Sequence, residues 1–317
     1  MEAGTPDSGD NARVSVGLAR GGSVEQAMAS AVALAGGLEF IQPGQTVLVK
    51  PNANSPDPYP GTTNPEVVYE AVKLIRQRNP GRIIVADRSW FAGSTADIMK
   101  KVGIDRAAEA AGAEVMILDE GPWRETHLQE AHHWDRSFRI AAILDQVDHI
   151  ISLPVVKTHM LATFTMSLKN SVGLVEPDDR VEMLHHATNG PDGFKFGPKS
   201  HEEPAFGSRI AEINLAFPVS LVIMDGTRSF VSGGPTKGEM VEPGLIIASR
   251  DRVANDATGL AILKTLGTEE RIQSKSVWEQ PQIRRAVELG LGVNGPAAME
   301  IKGEGVPELE TIRGHLG

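Results

Sequence analysis

Residues 150–175 read IISLPVVKTHMLATFTMSLKNSVGLV. Ile150, Ile151, Leu153, Val155 and Val156 form a short apolar run, broken by Ser152 and Pro154, of the kind that fills the middle of a parallel sheet covered on both faces. Lys157, His159 and Lys169 follow it. In an open α/β sheet, ligands bind in the crevice above the carboxyl ends of the strands. The stretch therefore reads as a central strand that delivers cationic side chains to an anion site.

The same arrangement recurs outward from it. RVSVGL (13–18), VLV (47–49) before Lys50, and RIIVADRSW (82–90) read as strands. The helices between them begin at Ser23, at Asn64 followed by Pro65, and near Ser94 or Thr95, each a side chain suited to the N-cap. AEVMILDEG (113–121) reads as a neighbouring or edge strand, and SLVIMDGTRSF (220–230) as a strand ending at Asp225 and Gly226. GLIIASRDRVANDATGLAIL gives one more strand-to-helix passage. This alternation predicts an α/β fold of mostly parallel sheets flanked by helices, in two α/β lobes with a cleft between them. The expected division is an unstructured segment at 1–12, a first lobe at 13–150, a second at 151–290 with a long loop at 176–208, and a final strand and tail at 291–317.

Composition narrows the function. The chain has 317 residues, 41% hydrophobic and 5% aromatic, with 33 glycines, which suits helices packed closely on a sheet. A net charge of −10 argues against nucleic-acid binding, which needs a concentrated basic surface. With no cysteine there is no disulfide, no thiolate metal site and no cysteine nucleophile on this sequence. No leader pattern or membrane-length apolar run is read, so a cytoplasmic protein is expected.

Several residues carry chemistry. KPNAN (50–54) sets Lys50 and Asn52 where they can clamp a carboxylate or phosphate, though asparagines also close turns. Lys157 and Asn170 extend that anion-binding set. Lys169 lies in the small and apolar run FTMSLKNSVGLV, where burial disfavours the ammonium form and makes a candidate base or covalent anchor. His159 is the candidate general acid/base. His185 in the loop and Asp225 in MDG are candidate ligands for a divalent metal, with His186 and His201 as further imidazoles. Asp251 and Asp256 read as helix N-caps. No P-loop, no strand-linked G-x-G-x-x-G and no G-x-S-x-G elbow occurs, which counts against nucleotide hydrolysis and NAD-dependent hydride transfer.

VLVKPN, TTNPEVV, LPVVKTH with SLKNSVGL, VIMDGTRS with GGPTKGE, and ASRDRVANDA occur in an order that resembles the domain of unknown function 362 family, from about residue 45 to 265. That resemblance implies an α/β fold and an association with ferredoxin-type iron–sulfur modules. With no cysteine here, such a cluster would belong to a separate partner protein. A weaker resemblance is to the lactate racemase family, which uses a nickel pincer nucleotide. It implies His159 as catalytic, Lys169 as cofactor anchor and His185 as nickel ligand. The sequence departs from that family at Asp87–Ser89, where another acid/base histidine is expected, and at Lys50–Asn52, where an arginine-bearing motif is expected.

These readings lead to an enzyme acting on a small anionic carboxylate by proton or hydride movement at the adjacent carbon, of racemase-like or redox-linked type. The alternative is a non-catalytic anion- or metal-binding protein that partners an iron–sulfur protein.

Overall fold

Period-two alternation of apolar side chains, with both sets buried, builds a sheet between two helical layers. The strands are β1 (Val14–Ala19), β2 (Thr46–Pro51), β3 (Arg82–Asp87), β4 (Glu114–Ile117), β5 (Trp123–Glu125), β6 (Arg139–Ala141), β7 (His149–Leu153), β8 (Val155–His159), β9 (Thr163–Thr165), β10 (Ala187–Gly190), β11 (Gly193–Phe196), β12 (Leu221–Gly233), β13 (Gly238–Val241), β14 (Leu245–Ser249) and β15 (Met299–Glu304). The structure, a computed structural model, describes residues 13–90, 93–190, 193–197 and 200–317. The segment 1–12, expected to be unstructured, lies outside the described residues.

The main sheet runs in the order β15-β1-β14-β12-β7-β2-β3-β4. From β12 to β4 neighbouring strands are parallel, while β14 is antiparallel to both β12 and β1. Val47, Val49, Ile83, Val85, Ile151 and Leu153 face one core, shared with the helices Val24–Leu34, Pro65–Arg76 and Ile104–Ala110. Their neighbours Leu48, Ile84, Ala86 and Ile150 face the other, with Phe138, Phe206 and Ile210. Beneath β12 and β14, Val222, Met224, Leu245 and Ile247 pack against the helix Arg252–Leu266. The α/β class follows from these layers. Ser23, Asn64 and Ser94 each accept a backbone N–H of the first helical turn, as their positions predict.

Several elements differ from the sequence reading. The strand expected through Val156 is two strands, because Pro154 has no N–H to give the ladder and the chain steps aside there. β7 pairs with β2 and β12, whereas β8 continues along β12, with Val155 opposite Asp225 and Lys157 opposite Phe230. Lys157 and His159 therefore lie within a strand rather than beyond one. Asp225 does not end its strand, since β12 runs on to Gly233. Lys169, read as part of an apolar run, sits in the short helix Ser167–Asn170 that follows β9. The stretch 176–208 holds helical turns to Leu184, the hairpin β10–β11 and the start of the helix Ala205–Ile213. The chain closes on a helix, Leu309–Leu316, that the reading of the tail did not include.

The 150/151 boundary drawn between two lobes falls inside β7, and strands from both sides of it share one continuous sheet. From β2 the chain moves outward to β3, while β7 hands on to β12 on the opposite side. The carboxyl ends of β2 and β7 thus flank a topological switch point, where a crevice opens between diverging connections. Among the described residues no helix is long and apolar enough to cross a membrane.

Candidate functional site

At that switch point lies a pocket whose lining includes Lys50, Asn52, Lys157, His159, Lys169 and Asn170. These are the six residues predicted to catalyse or to bind substrate, and the fold brings them together. Asn54, Asp87, Arg88, Thr165 and Arg180 complete its polar wall. The cavity volume is about 40 Å³, room for a few water molecules or a small anion.

Lys50 is more committed than the sequence suggests. Its Nζ lies 2.7 Å from Asp87 Oδ1 and donates to the Pro51 carbonyl at 2.6 Å, and both residues of this ion pair are buried. Asp87 also accepts the backbone N–H of Ala53 and of Arg88, each at 2.7 Å. A Cβ on Gly173 would sit 2.2 Å from Asp87 Oδ1 and 2.8 Å from Lys50 Nζ, so this wall needs a glycine. Asn52 closes an Asx turn by accepting the Asn54 N–H at 3.2 Å. Asn170 gives its amide N–H groups to the Lys50 carbonyl and Ser152 Oγ, at 3.1 and 3.0 Å. The Lys50, Asn52 and Asn170 side chains therefore shape the pocket floor with much of their bonding capacity already used.

The second wall comes from β8 and the short helix after β9. Lys157 Nζ donates to the carbonyls of Gly61 and Pro235, tying two loops across the pocket mouth. Burial, with Lys169 close by, lowers its pKa to about 7. The Nδ1 of His159 accepts two backbone N–H groups, from Leu161 at 3.1 Å and Ala162 at 3.2 Å. Both bonds need a lone pair on Nδ1, so the neutral ring carries its proton on Nε2. Burial and the nearby Lys169 and Lys157 hold its pKa well below the ordinary histidine value, and the ring stays neutral. His159 thus presents an N–H, not a lone pair, on its free nitrogen.

Lys169 is held by its backbone and free at its tip. The carboxylate of Asp256 accepts the N–H of Ser167 at 2.7 Å and of Leu168 at 2.9 Å, and the Ser167 hydroxyl as well. Asn214 donates to the Leu168 carbonyl at 3.1 Å. Asp251 caps its own helix through the Ala254 N–H, as predicted, but Asp256 caps the turn that carries Lys169, a long-range role that its sequence position does not show. The Lys169 Nζ makes no hydrogen bond or ion pair among the described residues. Burial and Arg180 lower its pKa to about 8, so about a tenth is neutral amine at pH 7, far more than for an ordinary lysine.

Arg180, which the sequence reading passed over, is the least satisfied group in the pocket. It is buried, its Nη1 donates to the Arg88 carbonyl at 3.3 Å, and its Nε and Nη2 have no hydrogen-bond partner among the described residues. The adjacent acids are taken by other arginines. Asp179 pairs with Arg136 and Arg139, and Glu176 with Arg139. The run EPDDR looks self-neutralising along the chain, which hid this residue. Thr165 Oγ1, also buried in the lining, is likewise unpaired.

The two candidate metal ligands are not brought together. Asp225 is fully buried in β12, where its Oδ1 accepts Tyr59 Oη at 2.9 Å and the Thr227 N–H at 2.8 Å. His185 lies beside His201, Nδ1 to Nε2 at 2.9 Å, within a cluster that includes Phe196 and Phe206. Assigning both to one metal is corrected by the extension of β12, which leaves Asp225 inside a strand rather than at its exit. No group of three or more His, Asp or Glu able to hold a metal occurs among the described residues. The cavity of about 40 Å³ encloses a group of phosphate size beside Lys169, which its cations would suit, and the rest of a nucleotide-sized cofactor would have to extend out of the pocket.

Comparison with known proteins places these residues in context. The model of the family described as "Domain of unknown function (DUF362)" matches residues 47–261, more than half of the chain, and spans every pocket residue named above. Thylakoid-associated protein sll1697 of Synechocystis sp. is 28% identical over 243 residues, covering 74% of this chain and 70% of that protein. Among solved structures, the lactate racemase apoprotein of Thermoanaerobacterium thermosaccharolyticum aligns with a TM-score of 0.48 at 14% identity, over 77% of this chain and 56% of that one. A crystal structure of a Thermotoga maritima protein aligns at 0.40 with 10% identity, over 69% and 52%. The chain thus spans little more than half the length of either solved protein.

Proposed function

This chain belongs to the DUF362 family, and from that premise we propose that it is an enzyme whose switch-point pocket binds a small carboxylate and moves a proton at the adjacent carbon. The observation that carries the reading is Arg180, a buried guanidinium with two nitrogens unpaired, in a lining that sets Lys50, Arg88, Lys157, Lys169 and Arg180 against the single carboxylate of Asp87. A buried guanidinium with two nitrogens lacking acceptors is costly, and a bound anion offsets that cost.

In this reading the Arg180 fork and the Lys157 ammonium hold the carboxylate, with the His159 Nε2–H as a further donor. The Lys169 amine, in its neutral form, takes the proton from the carbon. The electron pair moves onto the carboxylate oxygens, where the fixed cations oppose the added charge in a site that excludes bulk water. Returning a proton to the carbon completes exchange or, from the opposite face, inversion. The acid/base role expected of His159 passes to Lys169, since His159 Nδ1 is occupied.

The test is proton NMR of small carboxylates in D₂O with the purified protein. Exchange at the carbon beside the carboxylate, lost in Lys169→Met, is the expected result. Carboxylate binding without exchange in the wild type would leave a binding protein. Intact mass checks for an adduct on Lys169.

A further inference from the structure

Resting on the reading of the pocket as an anion site, we infer that its ligand is a small dicarboxylate that bears no hydroxyl or ammonium group. Two features of the lining lead there. The first is charge. Asp87 is already paired with Lys50, and Arg88 lies 3.4 Å from Asp119 while giving Nη1 to the carbonyls of Ser89 and Trp90. Among the described residues neither Arg180 nor Lys157 pairs with a carboxylate; their nitrogens donate to backbone carbonyls. A carboxylate bound beside Lys157, whose Nζ already donates to two carbonyls, favours its ammonium form, so with Lys169 as the neutral base the charges of Arg180 and Lys157 match two carboxylates.

The second feature is the shortage of acceptors. His159 Nδ1 is filled by two N–H groups, and both oxygens of Asp87 are in use. The carbonyls of Asn54, Gly173 and Pro235 accept from the Trp90 N–H, the Arg88 N–H and Lys157 Nζ. Among the described residues what remains open is mostly donors, Arg180 Nε and Nη2 and the His159 Nε2–H; the lone pair of the neutral Lys169 amine is the exception, and in this reading it faces the C–H that it deprotonates. The Thr165 hydroxyl and the amides of Asn52, Asn54 and Asn170 also line the pocket; the hydroxyl and the Asn54 amide can donate as readily as accept, while the Asn52 and Asn170 oxygens already accept from the Asn54 N–H and, at 3.5 Å, from Lys50 Nζ. A ligand O–H or N–H would displace its water and compete for acceptors that are already engaged, whereas ligand oxygens that only accept satisfy the wall.

Malonate and hydroxymalonate isolate this point, because both are dianions on the same skeleton and differ by one hydroxyl. Titration calorimetry of the full chain at neutral pH should show malonate binding about tenfold or more tighter than hydroxymalonate, and tighter than acetate by a similar factor. Asn54→Asp places an acceptor in the lining and should narrow or reverse the malonate preference. Hydroxymalonate binding as tightly as malonate would overturn the acceptor argument while leaving the anion site standing. Acetate equal to malonate would overturn the two-charge argument. No binding of any of the three would end the anion reading itself, and this inference with it.

Discussion

Replacing Arg180 by Met should make the protein more stable and unable to bind its anion, two effects that a structural arginine would not produce together. Methionine keeps the aliphatic stem and removes a guanidinium whose Nε and Nη2 are buried without partners. Burial, with Arg88 nearby, lowers the Arg180 pKa from 12.5 to about 10, which places the charged form roughly 3 kcal/mol above its cost in water. Losing the Nη1 bond to the Arg88 carbonyl gives back about 1 kcal/mol. The expected net is a gain of about 1–2 kcal/mol, a rise of a few degrees in Tm. The wild type, in contrast, should gain about 2.7 kcal/mol from malonate at a hundred times its dissociation constant, and the variant almost none. Thermal denaturation with and without malonate measures both. A variant several kcal/mol less stable would make Arg180 a strut that holds the fold, and an undiminished malonate shift would remove it from the site.

Other perturbations probe the rest of the machinery. Gly173→Ala forces a Cβ against Asp87 and Lys50 and should cost about 3–5 kcal/mol in urea unfolding, the range for breaking a buried ion pair. Asp256→Ala removes both backbone caps of the Lys169 turn, with a loss of about 1–3 kcal/mol and a fall in exchange rate, whereas Asp256→Asn, which keeps an acceptor, should recover part of both. If Lys169 is the base, exchange should rise with pH and level off above its pKa of about 8, since the neutral amine does the work; a flat profile between pH 6 and 9 would contradict that role. Burial raises the Asp225 carboxyl to about 6 in the folded chain, so its contribution to stability is full below the unfolded value of 3.8 and is lost as pH rises through 6. Asp225→Asn should therefore stabilise by up to roughly 3 kcal/mol at pH 8 and by nothing near pH 3, as measured by denaturant unfolding at the two pH values.

The sequence by itself determined the α/β class, the capped helices at Ser23, Asn64 and Ser94, and a set of six polar residues that meet in one pocket. These were legible because they depend on local facts: alternation of apolar residues, side chains that can accept an N–H, and cations set after buried runs. Only the tertiary structure decided which of those cations are free. Lys50 looks like an anion clamp until Asp87, a strand away, neutralises it. Arg180 looks neutralised by its own neighbours until Arg136 and Arg139 claim them. His159 looks like a base until two backbone N–H groups occupy its Nδ1, and Asp256 looks like an ordinary cap until it reaches Ser167 across the core. Whether a charge is spent or available depends on distances between segments far apart in the chain, and no local pattern encodes those distances.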